Sequence, residues 1–166
     1  DAIELLEEKK ADAIISVCEM DHTIREILCK YSSATTAQMD MVKDKIINRL
    51  DKRASQPTKN QMKTQSVEEL LNNSKMMSGK LFGALEDIKG NLSLSTQQQS
   101  LLSSYRSKIL DLRTTAAHAK EATCQTTGQS MLKFKNVEYK RRDIDDICKT
   151  IVSHENNIQS ILEGMN

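Results

Sequence analysis

A seven-residue repeat of apolar side chains between residues 67 and 112 constrains the fold more than any other feature of this sequence. The repeat holds one phase up to Ile88 and resumes the same phase at Leu102, after a polar interval. Its members are Val67, Leu70, Met77, Leu81, Ile88, Leu102, Tyr105, Ile109 and Leu112. A retained phase is typical of a helix whose apolar seam packs against other helices. The sequence therefore predicts one helix over residues 66–123, roughly 85 Å long at 1.5 Å per residue.

The polar interval within this segment leaves an alternative open. Gly90 is a helix-stop signal, and Ser95 followed three residues later by Gln98 is a helix-start signal. Two shorter helices would explain these signals, whereas one helix explains the retained phase, and we therefore expect the unbroken helix. Phe82, which lies beside the seam, indicates that this helix contacts more than one neighbour.

A similar apolar stripe predicts a helix over residues 3–54. Ile15 and Cys18 flank this stripe and widen it, as a bundle of three or four helices requires. The phase slips near residues 32–36, which indicates an inserted half-turn or a short break. Pro57 then ends or kinks the helix, because proline lacks an amide hydrogen.

A third helix is predicted over residues 129–163. Gly128 before it permits either a reversal of the chain or a continuous helix, because one glycine costs only about 1 kcal/mol inside a helix. Isoleucine occupies both inner positions of the repeat, a choice that favours three or four helices over two. The seam residues are Phe134, Ile144, Ile147, Ile151 and Ile158.

The composition fits long helices better than a compact catalytic domain. Aromatic residues make up 3% of the chain, there is no Trp, and one Pro and five Gly leave little material for loops. We therefore expect an all-α fold, either an elongated coiled coil or an antiparallel four-helix bundle, with residues 1–166 forming a single elongated oligomerisation module.

Neither catalysis nor metal binding is indicated by any motif. The three histidines, His22, His118 and His154, have no partner in sequence for base or nucleophile chemistry, and no phosphate-binding glycine loop occurs. Cys18 and His22 are close in sequence, but the four cysteines form no C-x-x-C pair and fit best as small buried residues of a reducing compartment. We expect no catalytic site, no cofactor, no metal and no transmembrane helix.

Charge is asymmetric along a chain whose formal net charge is only +1. Acidic residues dominate residues 1–26, and a basic run lies in residues 133–142. The residues expected to set orientation are Glu7, Glu8, Asp12, Lys133, Lys140, Arg141 and Arg142. The two groups would attract each other between antiparallel chains or helices. A solvated helix face and an external polyanion, such as RNA or a microtubule surface, remain alternatives for the basic run.

The segment S-G-K-L-F-G-A-L-E-D-I at residues 78–88 resembles part of the stalk of the bipolar, tetrameric mitotic kinesins. The seam interrupted by Ser, Gln, Asn and Cys is similar to that stalk too. The resemblance implies the central stalk region, in which two parallel dimers join antiparallel as a four-helix bundle. It implies no motor-domain site, because the chain contains no motor signature.

The interpretation we favour is a homo-oligomerisation stalk, a tetramer that sets the orientation and spacing of attached motor or other domains. It predicts the chain itself as a partner, a cytoplasmic location on the cytoskeleton or spindle, and no contact with membrane or nucleic acid. The first residues indicate an internal fragment of a longer protein. The alternative is a monomeric helical bundle that acts as an adaptor for protein or peptide ligands.

Overall fold

The computed structural model describes residues 2–165 and the side chains of residues 4–165. The chain is mostly helical, at 72% of its residues, with one small three-stranded sheet. The helices are α1 (Ala2–Ser32), α2 (Thr36–Leu50), α3 (Gln56–Met62), α4 (Val67–Leu71), α5 (Ser78–Ile88), α6 (Thr96–Tyr105), α7 (Asp111–His118) and α8 (Arg141–Gly164). The strands are β1 (Lys120–Thr123), β2 (Ser130–Phe134) and β3 (Val137–Tyr139).

The first predicted helix, residues 3–54, is divided into two. The break lies at residues 33–35, where the phase of the apolar stripe slips, and the side chain of Thr35 caps α2 by accepting from the amide of Gln38. Helix α2 ends at Leu50, before Pro57 is reached. Pro57 instead lies in the first turn of α3, where a missing amide hydrogen costs little.

The unbroken helix predicted over residues 66–123 is wrong, because local hydrogen bonds end it in several places. Helix α5 passes into a 3₁₀ turn at Lys89–Asn91 and stops. Ser95 then caps α6 in a reciprocal pair of bonds with Gln98, as the alternative signals indicated. A π-helical turn at Arg106–Leu110 joins α6 to α7, and residues 120–123 are a strand.

The all-α prediction needs a further correction between residues 120 and 139. There β1, β2 and β3 form an antiparallel sheet in that order, with Leu132 paired to Glu121 on one side and to Tyr139 on the other. Gly128 has φ +68° in the loop before β2, and Lys135 has φ 55° in the two-residue loop before β3. Positive φ values are incompatible with a continuing helix and suit tight hairpin loops. The helix predicted over residues 129–163 therefore begins only at Arg141.

Helix α1 is the centre of the packing. It contacts α2, α4, α5, α7, α8 and β2, so its apolar stripe is covered within one chain. The larger cluster of buried side chains includes Ile24, Ile27 and Leu28 of α1, all fully buried. A smaller cluster joins Leu6, Ala119, Leu132 and Ile144 beneath the sheet. The helices therefore fold back on one another, and the extended rod with a seam open to other chains is not what the chain forms.

Helices α1 and α8 lie side by side and parallel. Lys9 forms an ion pair with Asp145, and the charge of Glu19 acts on Glu155. The two partners of each pair are 136 residues apart in sequence, and the second pair lies ten residues further along both helices. An offset stays constant in this way only when the two helices run in the same direction. The antiparallel pairing of acidic and basic helices expected from the charge pattern does not occur between these two.

Candidate interaction surfaces

Most of the predicted interface residues pack inside this one chain. Side chains that precede the polar interval in sequence and side chains that follow it pack together in the larger cluster, along with isoleucines of α8. Its predicted members are Val67, Leu70, Leu81, Phe82, Ile88, Leu102, Tyr105, Ile109, Ile151 and Ile158, all buried. Ile144 is buried in the smaller cluster, against which Phe134 packs, and Ile147 is partly buried on the larger one. In this fold these side chains present no surface to another chain.

Two of the predicted interface residues behave differently. Met77 precedes α5 and is 70% exposed, which makes it the most exposed large apolar side chain of the described residues. Leu112 on α7 is half-buried and lines an apolar cavity of about 40 Å³. That volume holds little more than one water molecule, so it is far below the usual size of a ligand pocket.

An aromatic group lies at the centre of the core. The rings of Phe82 and Tyr105 stack with centroids 4.4 Å apart, and His154 meets Tyr105 edge-on at 5.9 Å. The guanidinium of Arg106 lies over the outer side of Phe82 at 5.5 Å and also bonds to Glu86. The Tyr105 hydroxyl and the His154 Nδ1 atom are buried and have no hydrogen-bond partner among the described residues.

A polar junction ties α1, α5 and α7 together beside this group. Ser78 donates to Asp21, and Arg113 donates to Ser78. Burial raises the pKa of Asp21, although the Ser78 bond and the positive charges of Arg113 and Arg25 act the other way. Burial also raises the pKa of Tyr105, and the charge of Asp21 adds to that effect. These bonds join three helices, and we assign the junction a structural role.

The predicted basic residues gather at one end of the molecule. Lys140, Arg141 and Arg142 line an open cavity of about 640 Å³ with Leu5 and Leu6 at its floor. Lys133 lies on the outer face of β2, between Lys120 of β1 and Glu138 of β3. None of these cations forms an ion pair with a carboxylate among the described residues.

The predicted acidic residues lie near the same end, because α1 and α8 are parallel. Glu7 pairs with Lys10 at 3.6 Å, whereas Glu8 and Asp12 are exposed. The charge of Asp12 acts on Cys148 of α8, whose pKa is raised chiefly by burial. The acidic and basic groups are therefore neighbours within one chain and do not occupy opposite ends of a rod.

The outer face of the α1–α8 pair is the surface that the sequence did not predict. Ile15 and Val152 are 54% and 52% exposed, and the constant offset of 136 residues places Val152 level with Ser16, next to Ile15. Glu19 and Glu155 lie near each other across the same two helices. Burial raises the pKa of Glu155, and the charge of Glu19 raises it further. The assignment of Ile15 and Cys18 to a buried widened stripe is wrong, since both are exposed.

A signal for this face exists in the sequence. Ala11, Ile15 and Cys18 lie between or beside the buried positions Ala13 and Val17 and repeat on their own as i, i+4 and i+7. A helix that buries one line of apolar side chains and carries a second line has a second surface for contact. Only the packing of α8 shows which of the two lines is buried in the core.

The described residues contain neither a cluster of three metal-ligating side chains nor a helix that could span a membrane. No three His, Cys, Asp or Glu side chains in residues 4–165 are arranged to hold a metal ion. In the same part of the chain no helix is long and apolar enough to cross a bilayer. The geometry described here is therefore that of packed helices with charged outer faces.

Comparisons with known proteins give no relative. The chain matches no protein family, no characterised protein and no solved structure. Its function has to be inferred from its own residues.

Proposed function

We propose that this chain is a protein-interaction module that folds alone as a helical bundle and docks a partner on the outer face of α1 and α8. The observation that supports it most is the contrast between two apolar lines on α1. The line that includes Ile24 and Ile27 is fully buried by the chain's own helices, whereas Ile15 remains more than half exposed. A monomer thus leaves one apolar surface for a partner.

The proposal assigns the module no chemistry and no cofactor. Its candidate machinery consists of helix faces, and binding by such faces draws on apolar burial and charge pairing. The role is that of an adaptor, which is the alternative that the sequence left open.

The test is the mass and the longest dimension of the chain in solution, measured by multi-angle light scattering with small-angle X-ray scattering. We expect the mass of one chain, 18.7 kDa, at all concentrations. We expect a long axis set by the 31 residues of α1, about 46 Å of helix, rather than by a rod of roughly 85 Å. A tetramer well over 100 Å long would contradict the proposal.

A homo-oligomeric stalk like that of the mitotic kinesins, with a location on the cytoskeleton or spindle, is the second candidate. One observation favours it: an α1–α8 pair with an exposed apolar face forms an antiparallel four-helix bundle when two copies meet on that face. The segment that resembles the kinesin stalk is α5, and its residues Leu81, Phe82 and Ile88 are buried. The interface of such an oligomer would then use Ile15 and Val152 instead of the predicted seam.

A further inference from the structure

We infer that the partner docked on the outer face of α1 and α8 is an amphipathic helix that carries Lys and Arg along the borders of its apolar side. This inference rests on the proposed function and names the chemistry of the partner. It is carried by an exposed apolar stripe, by the carboxylates that border the stripe, and by the lack of any ion pair between those carboxylates and a cation of the described residues.

The apolar stripe has the spacing that a docked helix requires. Ala11, Ile15 and Cys18 are exposed on α1 at positions i, i+4 and i+7, and Val152 extends the stripe onto α8. Helices that lie in grooves are anchored by side chains at this spacing. The stripe together with its flanking residues Glu8 and His22 spans 15 residues of α1, or about 22 Å, which accommodates four turns of a partner helix.

Carboxylates border this stripe on the side that faces α8. Glu8, Asp12 and Glu19 lie within one turn of Ile15 on α1 or of Ala11 beside it, and Glu155 lies one turn from Val152 on α8. None of the four forms an ion pair with a cation among the described residues. Glu155 instead lies near Glu19, and the charge of Glu19 adds to the effect of burial in raising the pKa of Glu155.

Most of the nearby cations are already engaged within the chain. Lys9 is paired with Asp145, Lys10 bonds to Glu7 and to the carbonyl of Ala119, and Arg25 bonds to the carbonyl of Leu71. Lys149, which lies one turn from Val152 and acts on Asp145, is the single Lys or Arg of α8 between Arg142 and the end of the helix. A Lys or Arg that arrives with a partner would relieve the repulsion between Glu19 and Glu155.

The charge of the face selects the basic helix over other occupants. Nucleic acid and anionic membranes are polyanions, which a carboxylate-bordered stripe repels. A second copy would have to offer its own basic end, but those cations lie on strands and on the first turn of α8, which also holds Asp143, Asp145 and Asp146.

The experiment is a titration of the full chain with a set of fluorescent helical peptides. Each peptide is 21 residues long and has Ala, Val, Leu or Met at the anchor positions and Lys or Arg on the borders. A scrambled peptide of equal composition and an acidic peptide with the same anchors are the controls. We expect saturable binding of at least one basic amphipathic peptide, at least tenfold tighter than binding of its scrambled form, with chemical-shift changes confined to α1 and α8.

Variants of the chain assign the contact. The double variant Ile15→Ser and Val152→Ser should weaken binding at least tenfold, whereas Val137→Ser, which removes an equally exposed side chain from β3, should leave it unchanged. The double variant Glu19→Gln and Glu155→Gln should weaken binding at low salt and have little effect at 0.5 M salt, because salt screens exposed charges.

Three results would overturn the inference: no basic peptide binds better than its scrambled form, binding maps to other helices, or the Ile15 and Val152 variant binds normally. Light scattering of the same samples separates this failure from failure of the proposed function. If the chain is a monomer and binds no basic helix, only the inferred chemistry of the partner is refuted. If the chain forms a stable oligomer, the proposed adaptor function is refuted.

Discussion

Phe82 on α5 and Tyr105 on α6 stack with their ring centroids 4.4 Å apart and their planes 25° apart, each at most 1% exposed. The two residues are 23 positions apart along what looked like one continuous helix, so in a rod they could never touch. Their contact requires the turn at residues 89–95, and it shows that the apolar repeat is satisfied by folding back.

Replacement of either ring tests whether this contact is intramolecular. We expect Phe82→Ala to lower the free energy of unfolding by about 3–5 kcal/mol, because it removes a large buried side chain and leaves a cavity. The urea midpoint measured at two protein concentrations tenfold apart should be the same. A midpoint that rises with concentration would mean that these rings join different chains. Met77→Ala, at an exposed position, serves as the control and should change stability by less than about 0.5 kcal/mol.

A second prediction concerns Gly83, which lies under the guanidinium of Arg49. Arg49 binds Asp87 through two bonds of 2.9 and 2.8 Å, and a Cβ atom at Gly83 would lie 2.7 Å from its Nη1 atom. Gly83→Ala should therefore stabilise the chain by about 1 kcal/mol only in an Arg49→Ala background, where helix propensity acts alone. In the presence of Arg49 the gain should be cancelled by displacement of the ion pair.

A double-mutant cycle of these two substitutions, followed by urea unfolding, measures that coupling. Gly79→Ala is the matched control, since the nearest neighbour of its Cβ atom is Arg106 at an ordinary 3.8 Å. Its effect should not depend on Arg49. A coupling energy of zero between Arg49 and Gly83 would contradict the packing described here.

A third prediction concerns the cysteines, whose reactivity should differ. Hydrogen bonds from the Thr127 hydroxyl and from the Thr127 and Thr126 amides lower the pKa of Cys124, whereas burial raises the pKa of Cys29 and of Cys148. Because the thiolate is the reactive form, iodoacetamide at pH 7 should modify Cys124 before the other two. Mass spectrometry of timed samples measures the order.

Thr127→Val removes the hydroxyl donor to Cys124 and should slow its alkylation while leaving Cys29 and Cys148 unaffected. Equal rates at Cys124 in the two proteins would show that the Thr127 bond does not form in solution.

A fourth prediction concerns the pH dependence of stability. Burial lowers the pKa of His154 below its ordinary 6.5, and the charge of Lys108 lowers it further. The unfolded chain therefore binds more protons at this site than the folded chain does. The stability that neutral His154 contributes is fully present above pH 6.5, and it is lost as the pH falls below 6.5 toward the lower pKa of the folded chain. His154→Phe should remove this loss between pH 7 and 5.5, as measured by urea unfolding.

Glu155 titrates in the opposite direction and has to be separated from His154. Its raised pKa makes the folded chain bind a proton more readily, so its effect favours the folded state as the pH falls toward 4.5. Comparison of His154→Phe in the wild-type and Glu155→Gln backgrounds isolates the histidine. A pH dependence that survives in the double variant would show that His154 is not its source.

The sequence by itself determined the local elements of this protein. The repeat of apolar side chains predicted helices where α1, α5, α6 and α8 occur, and the Ser95–Gln98 signal marked the start of α6 correctly. Helix-capping hydrogen bonds between residues three apart can be predicted from the sequence, because both partners are close together along the chain. The same holds for the break between α1 and α2, where the phase slips and Thr35 caps.

Only the tertiary structure decided what those elements pack against. A seam residue such as Leu81 has the same spacing whether it meets a second chain or its own α1 and α2, because periodicity records that a face is buried and not by what. The sheet was missed since residues 120–139 are too short and too polar to show a strand pattern. The Glu19–Glu155 contact was also missed, because it depends on the parallel register of two helices that are far apart in sequence.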